Sequence, residues 1–200
     1  METSETTAIS DLWEMLQQGP RRTLAQAAVD EFGKRGFHAT TTRHIAERIG
    51  MSPAALYIHY PSKADLLFTI AKIGHEAVLN ESLAAVEGIS DHHERVLSFV
   101  RTFTAWHAVN HLLARVIQYE LHSLQPDHLK EIAAIRRRTA DFAAEEFRHL
   151  VSDTSKLRMR TVACLSLSID VARWYVPGKS PAPEELGAEY AQLVIAMLRS

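Results

Sequence analysis

Between its seven prolines, the apolar residues of this 200-residue chain recur at intervals of three and four. Leu24, Ala27, Ala28 and Phe32 form one such stripe, and Val96, Phe99, Val100, Phe103 and Trp106 a second. Leu112, Val116, Tyr119 and Leu124 continue the pattern, as do Ile132, Ile135, Phe142 and Phe147. Residues three and four apart share one face of an α-helix, so each stripe is a face to be buried. No run alternates apolar and polar residues between turn signals, as a half-buried strand would. The expected fold class is all-α, with about nine helices.

Local chemistry marks the helix ends. Thr42 stands before residues 43–50, Ser52 before Pro53, Ser62 three residues before Asp65, and Asp91 three before Glu94, all in the manner of N-caps. Gly36 and Gly50 follow periodic segments, as C-terminal glycines do. The expected helices run over 21–35, 43–49, 53–59, 63–85, 91–109, 111–124, 127–152, 155–175 and 184–199.

Composition narrows the class. With 46% hydrophobic and 23% charged residues the chain is globular, and it is long enough to bury a core without disulfides. Its single cysteine, Cys164, excludes an intrachain disulfide and a cysteine-built zinc site, and its apolar setting reads as core. No apolar run reaches the roughly 18 residues of a membrane span. The N-terminus is acidic and polar, unlike a signal peptide. A soluble, cytoplasmic protein without a membrane partner is expected.

The net charge of −2 is unevenly distributed. Residues 21–66 hold seven Lys or Arg against four Asp or Glu, a net +3, whereas residues 1–20 carry −4 and residues 67–200 carry −1. A basic segment on a slightly acidic chain is an electrostatic footprint for phosphates. The expected organisation is an N-terminal extension (1–20), a basic domain (21–66) and a larger helical domain (67–200).

Within the basic segment, residues 41–60 read as two short helices about a tight turn. Ile45, Ala46, Ile49 and Leu56 supply a shared core, Gly50 the left-handed turn, Met51 its plug and Ser52 the next cap. This is the pattern of a helix-turn-helix, whose second helix enters the major groove. The stretch GFHATTTRHIAERIGMSPAALYIHYPSKADLL, residues 36–67, together with the helix before it, resembles the tetracycline-repressor (TetR) family of bacterial transcriptional regulators. The LY-x-H-aromatic-x-x-K-x-x-L run after the helix-turn-helix makes the resemblance specific.

The resemblance implies roles for individual residues. Thr42 corresponds to a phosphate-binding cap, and Arg43 to a position that reaches a base or phosphate. Ser52, Ala54 and Ala55 form the first turn of the recognition helix. Tyr57, His59 and Lys63 correspond to phosphate contacts, and Ile58 to a position that touches base methyls. Tyr60 reads as a core aromatic. A recognition helix so poor in hydrogen-bonding side chains would read thymine methyls or DNA shape.

For the remainder, the resemblance implies homodimerisation through the last two long helices, a palindromic double-stranded operator and a small hydrophobic effector. Val162, Leu165, Ile169 and Ala172, with Leu186, Tyr190, Leu193 and Met197, are the expected dimer stripes; ordinary intrachain core is the other reading. Phe99, Phe103, Trp106, Ile117, Leu121 and Phe142 are candidate pocket residues, and equally candidate core. Arg173-Trp174-Tyr175-Val176-Pro177-Gly178 resembles the RWY-x-PG-G motif of a TetR subgroup that includes acyl-CoA-responsive regulators, with Lys179 in place of the second glycine. There Arg173 would help bind coenzyme A; it could also pair with Asp170 on the same helical face. Arg136-Arg137-Arg138 reads as a solvated run or as a phosphate patch for the same ligand.

His107 and His111 lack an obvious third ligand, so no metal site is expected. No Ser-His-Asp set, P-loop or G-x-G-x-x-G lies in a suitable setting, so neither an enzyme nor a cofactor is expected. The function expected is a DNA-binding repressor released by its effector. A ligand-independent architectural DNA binder, a regulator of another ligand class and an activator remain as alternatives.

Overall fold

The computed structural model describes residues 12–200, so most of the expected N-terminal extension lies outside the described residues. Leu12–Met15 make a 3-10 turn that packs on a later helix through buried Leu12. The rest is helical, and the described residues contain no strand: α1 (Pro20–Arg35), α2 (Thr42–Arg48), α3 (Pro53–His59), α4 (Lys63–Ala84), α5 (His92–Val109), α6 (His111–Glu120), α7 (Pro126–Phe147), α8 (Leu157–Trp174) and α9 (Pro183–Arg199). Short 3-10 turns extend the C-terminal ends of α6 and α7, which stop earlier than the apolar pattern suggests.

The caps explain most boundaries. Ser52 accepts from the Ala55 amide, Ser62 from that of Asp65, and Asp91 from that of Glu94. The cap of α2 is displaced by one residue from the expected position. Thr41, not Thr42, accepts from the His44 amide, while the His44 ring accepts from the Thr41 amide. Three consecutive threonines left the choice open. The imidazole fills the place that Glu takes in a capping box.

Close helix approaches hold the two parts together. A Cβ on Gly33 of α1 would overlap Leu112 of α6, and one on Gly74 of α4 would lie 2.5 Å from Ile117. α6 is therefore wedged against both α1 and α4. On the far side α9 lies along α5, so near that a Cβ on Gly187 would sit 2.5 Å from the Arg101 carbonyl oxygen.

That packing corrects part of the dimer expectation. Ala172 and Leu186 are buried within the single chain, and Leu165, Ile169, Tyr190 and Met197 are half-buried against its core. Val162 and Leu193 do face outward, joined by Met159 and Trp174. The outward apolar face of α8 is thus rotated from the stripe that sequence periodicity suggests. None of the helices among the described residues is long and apolar enough to cross a membrane.

Candidate DNA-binding head and effector cavity

α2 and α3 meet through Ile45, Ala46 and Leu56, all fully buried. Gly50 takes φ +69°, a conformation that favours glycine, and the Met51 amide donates back to the Ala46 carbonyl at 2.9 Å. This turn aims α3 outward. Ile58 is 80% exposed and Tyr57 53%, which is unusual for large apolar side chains and leaves them for a partner surface. Ala54 is exposed beside them, with Ala55 and His59 half-buried.

The residues around α3 are arranged as a rim. The Thr42 hydroxyl lies 3.4 Å from the Tyr57 hydroxyl, bridging α2 and α3. Arg43 is exposed and pairs with Glu47, one turn on, at 3.0 Å. Ser52 carries the cap described above. Tyr60 is buried as expected; its hydroxyl donates to the Arg21 carbonyl at 2.8 Å and its ring lies under the Arg21 guanidinium. Lys63 is more engaged than its sequence position suggests. Its ammonium donates to the carbonyls of Phe37 (2.5 Å) and Thr40 (2.7 Å) and sits over the Phe37 ring. Burial lowers its pKa, opposed by the nearby Glu120 carboxylate. An ammonium has three N–H donors, so one remains for an outside acceptor.

The second feature is a cavity of about 1310 Å³ among α4, α5, α6, α7 and α8. Phe103, Trp106, Ile117 and Leu121 line it, as expected. Phe99 and Phe142 do not. Phe99 is buried in a ring cluster with Phe103, Phe142 and Phe147, so both belong to the core behind the wall. Arg173 is also absent from the lining. Its guanidinium makes a two-pronged ion pair, at 2.7 and 2.8 Å, with Asp170, which itself borders the cavity. Past it, Gly178 alone of its turn takes a positive φ, so Lys179 fits without strain where the resembled motif has glycine.

Arginines nevertheless reach the cavity. Arg136 and Arg137 of α7 and Arg158 of α8 line it, are exposed, and have no acidic partner among the described residues. Arg138, third in the run, lies off the lining. Arg158 gave no sequence signal, because it comes from a different helix.

Two histidines lie on the wall, His107 buried and His75 half-buried with its Nε2 enclosed. Burial pushes the pKa of His75 down to about 3, helped by the charge of Arg136, and that of His107 down to about 4. The folded protein therefore keeps both rings neutral at pH values where an unfolded chain, with histidine near 6.5, takes up protons. Stability is expected to be full above about pH 6.5 and to fall steadily toward pH 4. Chemical denaturation at stepped pH checks this; a flat profile over that window would contradict it. His107 and His111 each direct Nδ1 to a backbone carbonyl one turn back, and no metal-binding cluster exists among the described residues.

α6 links the two features. Ala114, Ile117 and Gln118 face the cavity, while Glu120 at its end accepts the Phe37 amide at 3.1 Å. Just beyond, Ser123 and His38 are 3.3 Å apart. Glu120 was invisible in the sequence reading because its partner is 83 residues away in the chain.

Comparison with known proteins agrees with this geometry. Residues 24–70 match the bacterial regulatory proteins of the tetR family, and residues 90–198 match the tetracyclin repressor-like C-terminal domain. A tetR-family regulatory protein from Rhodococcus RHA1 is 35% identical, with a TM-score of 0.84 over 91% of this chain and 98% of that one. The transcriptional activator FasR of Mycolicibacterium smegmatis is 25% identical over 174 residues, covering 84% of this chain and 78% of its own. The regulator AibR, solved in complex with isovaleryl coenzyme A and operator DNA, shares the fold at 22% identity, with a TM-score of 0.75 over 89% and 97% of the two chains. With both of its parts matched and a helix-turn-helix head set on a cavity-bearing helical body, this chain belongs to the TetR family of DNA-binding transcriptional regulators.

Proposed function

We propose that the protein is a homodimeric repressor that leaves a palindromic operator when an acyl-CoA thioester enters the cavity. The observation that carries the effector class is the cavity itself. It exceeds the roughly 300–1,000 Å³ of an ordinary small-molecule pocket. Its lining is more apolar than polar, and Arg136, Arg137 and Arg158, beside Asp141 and Asp170, border it without an ion-pair partner of their own among the described residues. An apolar chain inside and phosphates on the guanidinium groups satisfy both regions. The AibR fold accommodates such a thioester.

In this reading Ala54, Ala55 and Ile58 meet base edges, chiefly thymine methyls, and Tyr57 stands over the groove wall. Thr42, Arg43, Ser52, His59 and the third donor of Lys63 hold phosphates. A second copy packs on the outward apolar residues of α8 and α9. Because Val162, Ala163 and Ser166 of α8 also border the cavity, that copy would help close it. Release follows when the thioester binds better to a conformer whose two heads no longer match successive major grooves. α4 begins under the head at Lys63 and reaches the cavity at Gly74, His75 and Val78, so its tilt moves both together.

Thermal shifts with a series of acyl-CoA thioesters, the matching free acids and free coenzyme A test the effector. A ligand at 100 times its Kd adds about 2.7 kcal/mol. A shift with thioesters only, together with loss of operator binding, supports the reading; no shift overturns the effector class, and tighter operator binding overturns release by the effector. Arg43→Ala tests the head without disturbing its packing. The salt dependence of operator binding is expected to flatten by about one phosphate contact per protomer, about two for the dimer. An unchanged slope would remove Arg43 from the DNA interface.

A further inference from the structure

Three side chains on the cavity wall carry hydrogen-bonding groups without a partner among the described residues. Trp106 is almost completely buried, yet its Nε1–H has no acceptor among the described residues. The buried Nε2 of His75 is likewise without a partner. His107 directs Nδ1 to the Phe103 carbonyl oxygen at 2.7 Å. A carbonyl can only accept, so the proton sits on Nδ1 and Nε2 of the neutral ring is left as an acceptor. All three residues line the same cavity, and the rings of Trp106 and His107 are 5.2 Å apart.

We propose that His75, Trp106 and His107 form a subsite for an uncharged hydroxyl group carried on the acyl part of the effector. A hydroxyl both donates and accepts, so one such group can give its proton to His107 Nε2 and take the Trp106 N–H. A saturated chain would leave both buried groups unmatched, which costs free energy each time it binds. A carboxylate would meet neutral rings at Trp106 and His107, and Arg136, the cation that acts on His75, is one of the groups proposed for the phosphates. The subsite thus narrows the effector from acyl thioesters in general to hydroxylated ones, and in that respect rests on the effector class proposed above.

Affinities of the full-length protein for decanoyl-CoA and for its 3-hydroxy, 6-hydroxy and 10-hydroxy forms test it, with the corresponding free acids run in parallel. At least one hydroxylated thioester is expected to bind about tenfold tighter than the plain one, the worth of a well-made neutral hydrogen bond. Trp106→Phe keeps the packed ring and removes the N–H, and should bring that ratio to within about twofold. Equal affinities for plain and hydroxylated thioesters, or a preference that survives Trp106→Phe, overturn the subsite while leaving the thioester class intact. A hydroxyl preference among the free acids, with no thioester binding, does the reverse. Binding of none of these compounds overturns both.

Discussion

Replacing Arg95 by leucine is expected to cost about 3–5 kcal/mol of stability, the usual penalty for leaving one member of a buried ion pair alone. Arg95 of α5 donates through Nε and Nη2 to the two carboxylate oxygens of Glu146 on α7, at 2.8 and 2.5 Å. Its Nη1 also donates to the carbonyls of Val86 and Ile89 in the α4–α5 connection. One guanidinium thereby ties three segments, and the Glu146 side chain is only 6% exposed. Without Arg95 that carboxylate loses its cation while staying enclosed by protein. In a chain of this size the loss should lower the melting temperature by roughly 10 °C at fixed protein concentration. The double substitution Arg95→Leu with Glu146→Leu should recover much of it, because no buried charge is then left unpaired. A loss below about 1 kcal/mol in the single variant would show that Glu146 finds water or a proton after all. The consequence reaches function. α7 carries Arg136 and Arg137, and α5 carries Trp106 and His107, so the pair helps set the spacing of opposite cavity walls.

Most of the fold was legible because its determinants are local. Apolar spacing, the caps at Ser52, Ser62 and Asp91, and the glycines at 36 and 50 act within one or two helical turns. The recognition helix was legible for the same reason, together with a specific motif. What escaped depends on contacts between distant segments. Tyr119 belongs to an apolar stripe yet is 53% exposed, since α6 ends one residue later. Phe99 and Phe103 are four apart on α5, yet only Phe103 reaches the cavity, a distinction made by how α7 packs against them. Arg173 could have served a ligand or its neighbour Asp170, and the ion pair is made. Histidine roles were the least legible. His107 drew notice for its spacing to His111, whereas its place on the cavity wall depends on how five helices come together.

Glu120→Ala is expected to leave effector binding in place while uncoupling it from the operator. Glu120 is where the cavity's helix grips the DNA-binding head. Its carboxylate accepts the Phe37 amide, and the carbonyl of the same residue takes the Lys63 ammonium. The α1–α2 turn is thus pinned from both sides, by α6 and by the first residue of α4, and that turn leads directly into Thr41, Thr42 and Arg43. A shift of α6 when the cavity fills would pull on this point. Coupling between two such sites is typically worth 1–3 kcal/mol, or about 5- to 150-fold in affinity. In Glu120→Ala the factor by which the effector weakens operator binding should fall to within about threefold. Glu120→Gln keeps an oxygen that can accept the Phe37 amide, and should retain most of the factor. Linkage supplies a check that does not depend on the DNA assay. Operator DNA must weaken effector binding by the same factor, so effector Kd measured with and without operator should converge in the alanine variant. If both measurements keep the full factor in Glu120→Ala, the signal runs through α4 or through the packing of α6 on α1 at Leu112 and Gly33, and the Glu120–Phe37 contact is structural.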